Sequence, residues 1–485
     1  MAMEAGRRPT APGSSDWLTR IVSAVLVIAV GVILGLQYIN PDKRALAVLA
    51  AAAIFGIAWR LDTVTGLGLM ILAIPYPRGT VFGSTNFAFI LLLALIWLLR
   101  VSQRMSPPPV RTPVDMPIAG LAIAYVISFY NIANSAALGY AIQNTEQFLV
   151  CLLLFYMLTS NIRTVEHLKR LQTFQAISIA TILLLALFEL NHPGGAFIPG
   201  WIEFHGTVGT EFNTKNVRVG GPFFDYEMLS EFCAVNSLLI LFLIMRATTV
   251  ARRVALSALL LFDVFVMFTT VTRGAFVSLA FGLTYLVFRM RRRVRVVPLA
   301  LAAVAIVATV LFLNFFVSNF TRSGNIMARF QETKFVGLVP DDRVQVWKDG
   351  WNLFLEHPWI GHGPYYAMQI GAHFASWPHN GYLLLGYFVG LVGVVFFFVL
   401  LFHLLRLSNA CSDDMYDPNY ARAFLLFAHV QIVVFMVDQT KIDFLRNPTY
   451  MFEVWVMFAM LVAASRLARI EASTVPFRRR LLEAA

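Results

Sequence analysis

The sequence predicts an all-α protein: a polytopic bundle of about 12–14 transmembrane helices with one long outward-facing loop. Three observations predict it. Of 485 residues, 58% are hydrophobic and only 13% charged, with a mean hydropathy of +0.70, whereas a soluble domain carries about 25% charged residues. Apolar runs of roughly 17–22 residues recur along the chain, each long enough to cross about 30 Å of hydrocarbon as a helix. Basic residues cluster in the short connections between these runs, as cytoplasmic loops do.

In chain order, apolar spans fall near 18–38, 44–60, 61–76, 85–101, 117–133, 143–159, 174–190, 224–246, 253–270, 274–289, 296–317, 380–406, 421–438 and 449–466. The second and third together also fit a re-entrant pair. The first is not followed by a small-residue cleavage site and reads as a retained span. The basic clusters at Arg7/Arg8/Arg20, Arg100/Arg104/Arg111, Arg163/Lys169/Arg170, Arg246/Arg252/Arg253, Arg289 to Arg295 and Arg478/Arg479/Arg480 then all fall on one side, and both termini are cytoplasmic. The organisation is a tail over 1–16, spans over 17–190, spans with outward arginine elements over 191–317, a long loop over 318–379, spans over 380–466 and a basic tail over 467–485. Residues 342–356 (DRVQVWKDGWNLFLE) place Val346, Leu353 and Phe354 on one side of an amphipathic helix expected to lie on the membrane face. Loops this long usually carry function.

The net charge of +11 sits largely in short loops, so it reads as topology and not as a nucleic-acid footprint. Cys151, Cys233 and Cys411 share no spacing that suggests a metal or a disulfide framework. Asp341-Asp342 is the one outward acidic doublet, and such a pair on a loop more often caps a helix or meets an arginine than holds a divalent ion. His357, His362 and His373 share the loop with His379, but their spacings match no zinc pattern. No metal or cofactor is expected.

The most informative string is HNGYLLLGYFVGLVGV at 379–394. It sets a titratable imidazole where a polar loop re-enters an apolar helix, between water and low dielectric. Arg218, in Arg218-Val-Gly-Gly-Pro222-Phe223, and Arg273, in Thr272-Arg273-Gly274, stand on the outward side, where the charge rule disfavours them. Each reads either as an arginine snorkelling to the headgroups or as a fork for phosphate oxygens. Arg322, Arg329, Arg343, Lys441 and Arg446 read as solvated charges or ion-pair partners. Asp263, His403, His429 and Glu453 lie inside spans, as functional groups or as polar braces.

The order of these elements resembles the O-antigen ligase family, within a superfamily that includes O-antigen polymerases and bacterial O-oligosaccharyltransferases. His379-Asn380, nine residues, then Gly390-Leu-Val-Gly393 resembles the ligase signature, and His357-Pro-Trp-Ile-Gly361-His-Gly363-Pro resembles the family's HPxxGxGP segment. The arginine elements resemble its Arg-x-x-Gly-Pro-Phe and Ser/Thr-Arg-Gly pieces. The resemblance covers about 215–395. Family members have about a dozen spans, so a count of 14 departs from the pattern.

The resemblance implies a bacterial inner-membrane glycosyltransferase, active at the periplasmic face. It would transfer a polyprenyl-diphosphate-linked glycan to an acceptor hydroxyl, on lipid A-core for a ligase or on a growing glycan for a polymerase. The lipid bilayer is a partner and nucleic acid is not. Arg218 and Arg273 would neutralise the departing diphosphate. His379 would act as general base toward the acceptor hydroxyl, or contact the diphosphate as an imidazolium; both roles stay open. Asn380 would orient the imidazole or the sugar, or cap the following helix, with Arg343, Gly390 and Gly393 in support. Glu189, Asp225, Glu227 and Asp438 would line the sugar site or balance the arginines. Of Trp201, Trp347, Trp351, Trp359 and Trp377, most would be interfacial anchors and one or two would stack on sugars. A transporter would show interrupted helices at matching places in two halves, and none is seen. A protein O-oligosaccharyltransferase would share the donor motifs. The ligase reading is preferred because the His-Asn-x9-Gly-x-x-Gly spacing fits it fully.

Overall fold

A computed structural model describes residue 56 and residues 59–483, apart from 77–78, 81–82, 133, 199–201, 204–206, 209–216, 291–295, 322, 332–334, 337–338, 367–376 and 410–416. The expected span at 18–38, nearly all of that at 44–60, and Trp201, His205, Arg322, His373, Cys411, Asp413 and Asp414 lie outside the described residues. The chain divides into units 1–62 and 63–485, and the second is the one described below.

Among the described residues this unit is a bundle of α-helices: α1 (Thr63–Ala73), α2 (Thr85–Ser102), α3 (Asp115–Ile127), α4 (Ser135–Asn161), α5 (Val165–Asn191), α6 (Tyr226–Met245), α7 (Val250–Thr269), α8 (Arg273–Arg289), α9 (Val296–Phe320), α10 (Ile326–Gln331), α11 (Asp341–Glu356), α12 (Gly381–Ser408), α13 (Tyr420–Asp438) and α14 (Pro448–Glu483). Strands are limited to short antiparallel pairs in the connections, one of which joins Thr207-Val208 to Val217-Arg218. Among the described residues, seven helices or helix portions are long and apolar enough to cross a membrane: α4, α5, α6, the part of α9 from 303 to 320, α12, α13 and the first 23 residues of α14. The protein is a polytopic α-helical bundle.

Local sequence sets the helix starts. Asn134 Oδ1 accepts from the Ala137 amide at 2.8 Å, Asp225 Oδ1 from the Glu227 and Met228 amides at 2.8 and 3.1 Å, and Asn419 Oδ1 from Arg422 at 2.9 Å. Each side chain satisfies donors that a helix leaves unpaired in its first turn.

Helices α13 and α14 are buried for most of their membrane length. Trp455 of α14 meets Phe148 and Phe155 of α4 edge-on at 5.9 and 5.7 Å, and Phe148 stacks on Tyr125 of α3 at 4.3 Å. Within lipid, helix association relies on close packing and polar bridges. A Cβ on Gly282 would stand 2.3 Å from Val434, so α8 and α13 touch at that glycine. Polar braces lie between helices: Ser237 donates to Asp263 at 2.6 Å, and His429 joins Tyr285 (3.0 Å) and Ser408 (2.8 Å). Of the ionisable residues expected inside spans, Asp263 and His429 are therefore braces. His403 Nδ1 bonds the Val399 carbonyl of its own helix at 2.8 Å.

Helix α12 is broken at Gly390, whose φ of 63° leaves the helical region. The segment 357–363 fills the break. The Leu391 and Val392 amides donate to the carbonyls of Pro358 (2.7 Å) and Trp359 (3.2 Å), and His362 and Gly363 donate to those of Tyr387 (2.8 Å) and Phe388 (3.1 Å). A Cβ on Gly390 would stand 2.3 Å from the Trp359 carbonyl carbon, and one on Gly361 would stand 2.5 Å from the Phe388 oxygen. The two signature strings, at 357–364 and 379–394, are thus one interlocked backbone structure. Asn131 and Asn144 hold it from the other side through the carbonyls of Gly361 and Pro364, both at 2.6 Å. Helix α3 has only 13 residues, and the turn that follows it meets this segment.

Candidate active site

Five helix ends converge at one end of the bundle: the N-termini of α6, α8, α12 and α14 and the C-terminus of α13. The 439–447 connection ties them. The Gly381 amide lies 2.8 Å from both the Gln439 and Ile442 carbonyls. Lys441 donates to Gly274 O at 2.6 Å, Asn447 to Phe223 O at 2.7 Å, and Asn380 to Thr440 O at 3.2 Å.

His379 is the residue before the α12 cap, and its φ of 46° is unusual for a side chain with a Cβ. Such strain persists only where the surroundings impose it, often at functional sites. The following Asn380 anchors it: its Oδ1 accepts from the Tyr382 (3.1 Å) and Leu383 (3.0 Å) amides. This fits the capping role of Asn380.

The imidazole points to α6, where Nδ1 lies 2.8 Å from Glu227 Oε2. Glu227 also takes Arg343 at 3.0 Å and Arg446 at 3.1 Å. Arg343 further donates to the Lys441 carbonyl. Arg446 reaches Asp225 at 2.9 Å and Asp443 at 3.3 Å. Burial works against the Arg446 charge, but Asp443, Asp225 and Glu227 outweigh it and hold the guanidinium firmly protonated. Burial pushes the Asp443 carboxyl up to about 6, against the pull of Arg446 and His379.

Arg218 and Arg273 come to the same end. Arg218 Nε donates to Thr270 O at 3.0 Å, and one terminal nitrogen donates to Val271 O (3.3 Å) and Thr272 Oγ1 (3.2 Å). Its guanidinium lies 3.3 Å from the centre of the Tyr226 ring. Burial pulls its pKa down, opposed by Tyr226, Glu227 and Asp225, while nearby Arg329 adds to the lowering. Arg273 opens α8 and donates to Arg329 O at 2.7 Å. Arg343 and Arg446 thus touch Glu227 and Arg218 lies close enough to feel its charge, while Arg273 stands at the same end of the bundle, an arrangement suited to an anion. Glu189 of α5 accepts from the Gly220 (3.0 Å) and Gly221 (2.6 Å) amides, fixing the turn that presents the arginine, and glycine suits both positions because a Cβ on Gly220 would stand 2.6 Å from the Asp225 nitrogen and Gly221 has a φ of 56°.

Glu227, expected to line the site or balance the arginines, and Arg446, expected as a solvated charge or an ion-pair partner, do pair, but the sequence did not show that Glu227 also holds His379 or that Asp443 joins Arg446. Their one signal is that they are acids and a base near outward helix ends, which does not fix the partners. Among the described loop histidines, His362 bonds the Leu353 carbonyl at 2.8 Å and its ring lies 4.6 Å from that of His357, whereas His379 bonds Glu227. Trp377 stacks on Tyr366 at 4.9 Å as packing.

This is a polytopic membrane protein with a cationic, histidine-bearing site at the mouth of its helices. Residues 256–398 match the family model Wzy_C, O-antigen ligase. This stretch is similar to the O-antigen ligase family, and the family resemblance read from the motifs is borne out over it. The match includes Arg273, Arg343, His379, Asn380, Gly390 and Gly393; Arg218, Glu227 and Arg446 lie outside it. That family is one of glycosyltransferase-like ligases and polymerases. No curated protein matches the chain.

Proposed function

We propose that this protein transfers a glycan from a polyprenyl-diphosphate carrier to an acceptor hydroxyl, as an O-antigen ligase acting on lipid A-core. The 2.8 Å contact between His379 Nδ1 and the Glu227 carboxylate carries the reading. With the carboxylate accepting the Nδ1 proton, the lone pair sits on Nε2, the form a general base needs. The acceptor oxygen attacks the anomeric carbon, its proton passes to Nε2, and the carbon–oxygen bond to the diphosphate breaks with its electron pair leaving on the phosphate. Arg218 and Arg273 stabilise that departing charge. One displacement inverts the anomeric centre. Metal and cofactor have no part in the scheme.

The site would face the periplasm from the inner membrane, with both termini cytoplasmic, as the positions of the basic clusters support. A polymerase would use the same donor machinery on a growing lipid-linked glycan. The deciding experiment is the lipopolysaccharide profile of a strain lacking the protein, complemented with wild type or His379→Ala. Bare lipid A-core with accumulated lipid-linked chains supports the ligase. Core bearing a single repeat unit means polymerase. Full complementation by His379→Ala removes the histidine from the mechanism.

A further inference from the structure

The amphipathic pattern of 342–356 predicts a helix lying on the membrane face. Helix α11 runs alongside the first half of α12, in the same direction. A Cβ on Gly350 would lie 3.6 Å from Pro378 and 4.0 Å from Leu383, and one on Gly386 would lie 3.0 Å from the Phe354 ring. Further along, Pro358 O accepts from the Leu391 amide at 2.7 Å. Positions 350, 354 and 358 thus meet 383, 386 and 391 in turn.

The depth of this segment follows from α6. Its 20 residues at about 1.5 Å each are just long enough for the hydrocarbon layer. Its first turn bears Glu227, bonded to His379, so the start of α12 is level with the hydrocarbon boundary. Leu391 then lies roughly 15 Å below it, near the bilayer centre. Irregular backbone at that depth must have its polar groups satisfied by protein, and the break at Gly390 supplies those partners.

The outer surface of the descending segment has two edges. Trp351, Leu355 and Trp359 are 50%, 53% and 68% exposed. Gln345, Asn352 and Glu356 are also exposed, and a 3.6-residue turn puts them on the neighbouring edge, with exposed Lys348 between the two. Gly350, Leu353 and Phe354 face the bundle.

We propose that residues 351–359 form a re-entrant element in the outer half of the bilayer, its Trp351–Leu355–Trp359 edge against phospholipid acyl chains and its Asn352–Glu356 edge lining a water-filled groove. The element links the lipid phase to the site, because Arg343 begins the same helix and contacts Glu227 at 3.0 Å.

The test uses single-cysteine variants at 351, 352, 355 and 356 in a background lacking Cys151, Cys233 and Cys411. Each is reconstituted into phosphatidylethanolamine–phosphatidylglycerol vesicles and treated with a membrane-impermeant maleimide. Labelling at 352 and 356, with protection at 351 and 355 until denaturation, is the expected result. Equal labelling at all four would mean a helix in water, and protection at all four a helix with no aqueous edge; either overturns the proposal. A second measurement avoids the cysteines. In vesicles with brominated acyl chains, Trp351→Phe/Trp359→Phe should lose part of the quenchable tryptophan fluorescence, and an undiminished quenchable signal would also overturn it.

Discussion

His379 Nδ1 and Glu227 Oε2 stand 2.8 Å apart although 152 residues separate them in the chain. Glu227 is also the shared anion of Arg343 and Arg446. One carboxylate therefore orients the imidazole and bridges two guanidinium groups, with Asp225 and Asp443 sharing the charge of Arg446.

Two different losses should follow from changing this pair. His379→Ala should lower transfer by about 10²–10⁴-fold while leaving the amount of folded protein unchanged. Glu227→Ala should also destabilise the protein by about 3–5 kcal/mol, since it leaves buried arginines without their partner. Glu227→Gln should fall between them, with a fall in kcat larger than any rise in KM. Initial rates in proteoliposomes, with thermal unfolding alongside, separate these outcomes.

Arg218→Lys should fail to replace arginine. The guanidinium fork reaches Thr270 O, Val271 O and Thr272 Oγ1 together and stacks on Tyr226, and an ammonium cannot match that geometry. Bonds from a charged donor contribute about 1.5–3 kcal/mol each. Both Arg218→Lys and Arg218→Ala should lower the unfolding temperature and transfer, with alanine the worse. A lysine variant with wild-type rate and stability would refute this.

Gly390→Ala should be severely damaging. The φ of 63° disfavours a Cβ, and the Cβ would meet backbone atoms of Trp359 and Ile360 at 2.3–2.4 Å. Strain of about 1–3 kcal/mol adds to the clash and should open the lock between α12 and segment 357–363. Gly139→Ala is the control: its Cβ would meet nothing within 4 Å on a helix, so it should be neutral or stabilising by up to about 1 kcal/mol. Thermal unfolding in detergent distinguishes the two.

Asp443 should make stability pH-dependent. Its carboxyl is held at about 6 in the fold against an ordinary 3.8, so the folded state favours the protonated form. That contribution is fully present below about pH 3.8 and is lost as pH rises through about 6. At about 1.4 kcal/mol per unit, it amounts to roughly 3 kcal/mol. Asp443→Asn should remove it, so the wild-type minus variant difference in stability should fall between pH 4 and 7, as read from unfolding midpoints across that range.

The membrane helices from residue 63 onward were legible as apolar runs, because lipid demands apolar side chains and internally bonded backbone of any segment that crosses it. His379, Arg218 and Arg273 stood out because each is a polar group at an apolar edge. The spacing of Gly390 and Gly393 was legible as a signature but its cause was not. The break at Gly390 has meaning only once 357–363 is seen lodged in it.

Sequence by itself determined the class of protein, its helical character and the three basic residues around which a site could form, since these depend on local composition and the bilayer as solvent. Only the tertiary structure decided that Glu227 holds the histidine, that Arg446 and Asp443 stand behind it, and that α11 packs beside α12. Those facts depend on where five helix ends meet, and packing between segments more than a hundred residues apart sets that meeting point.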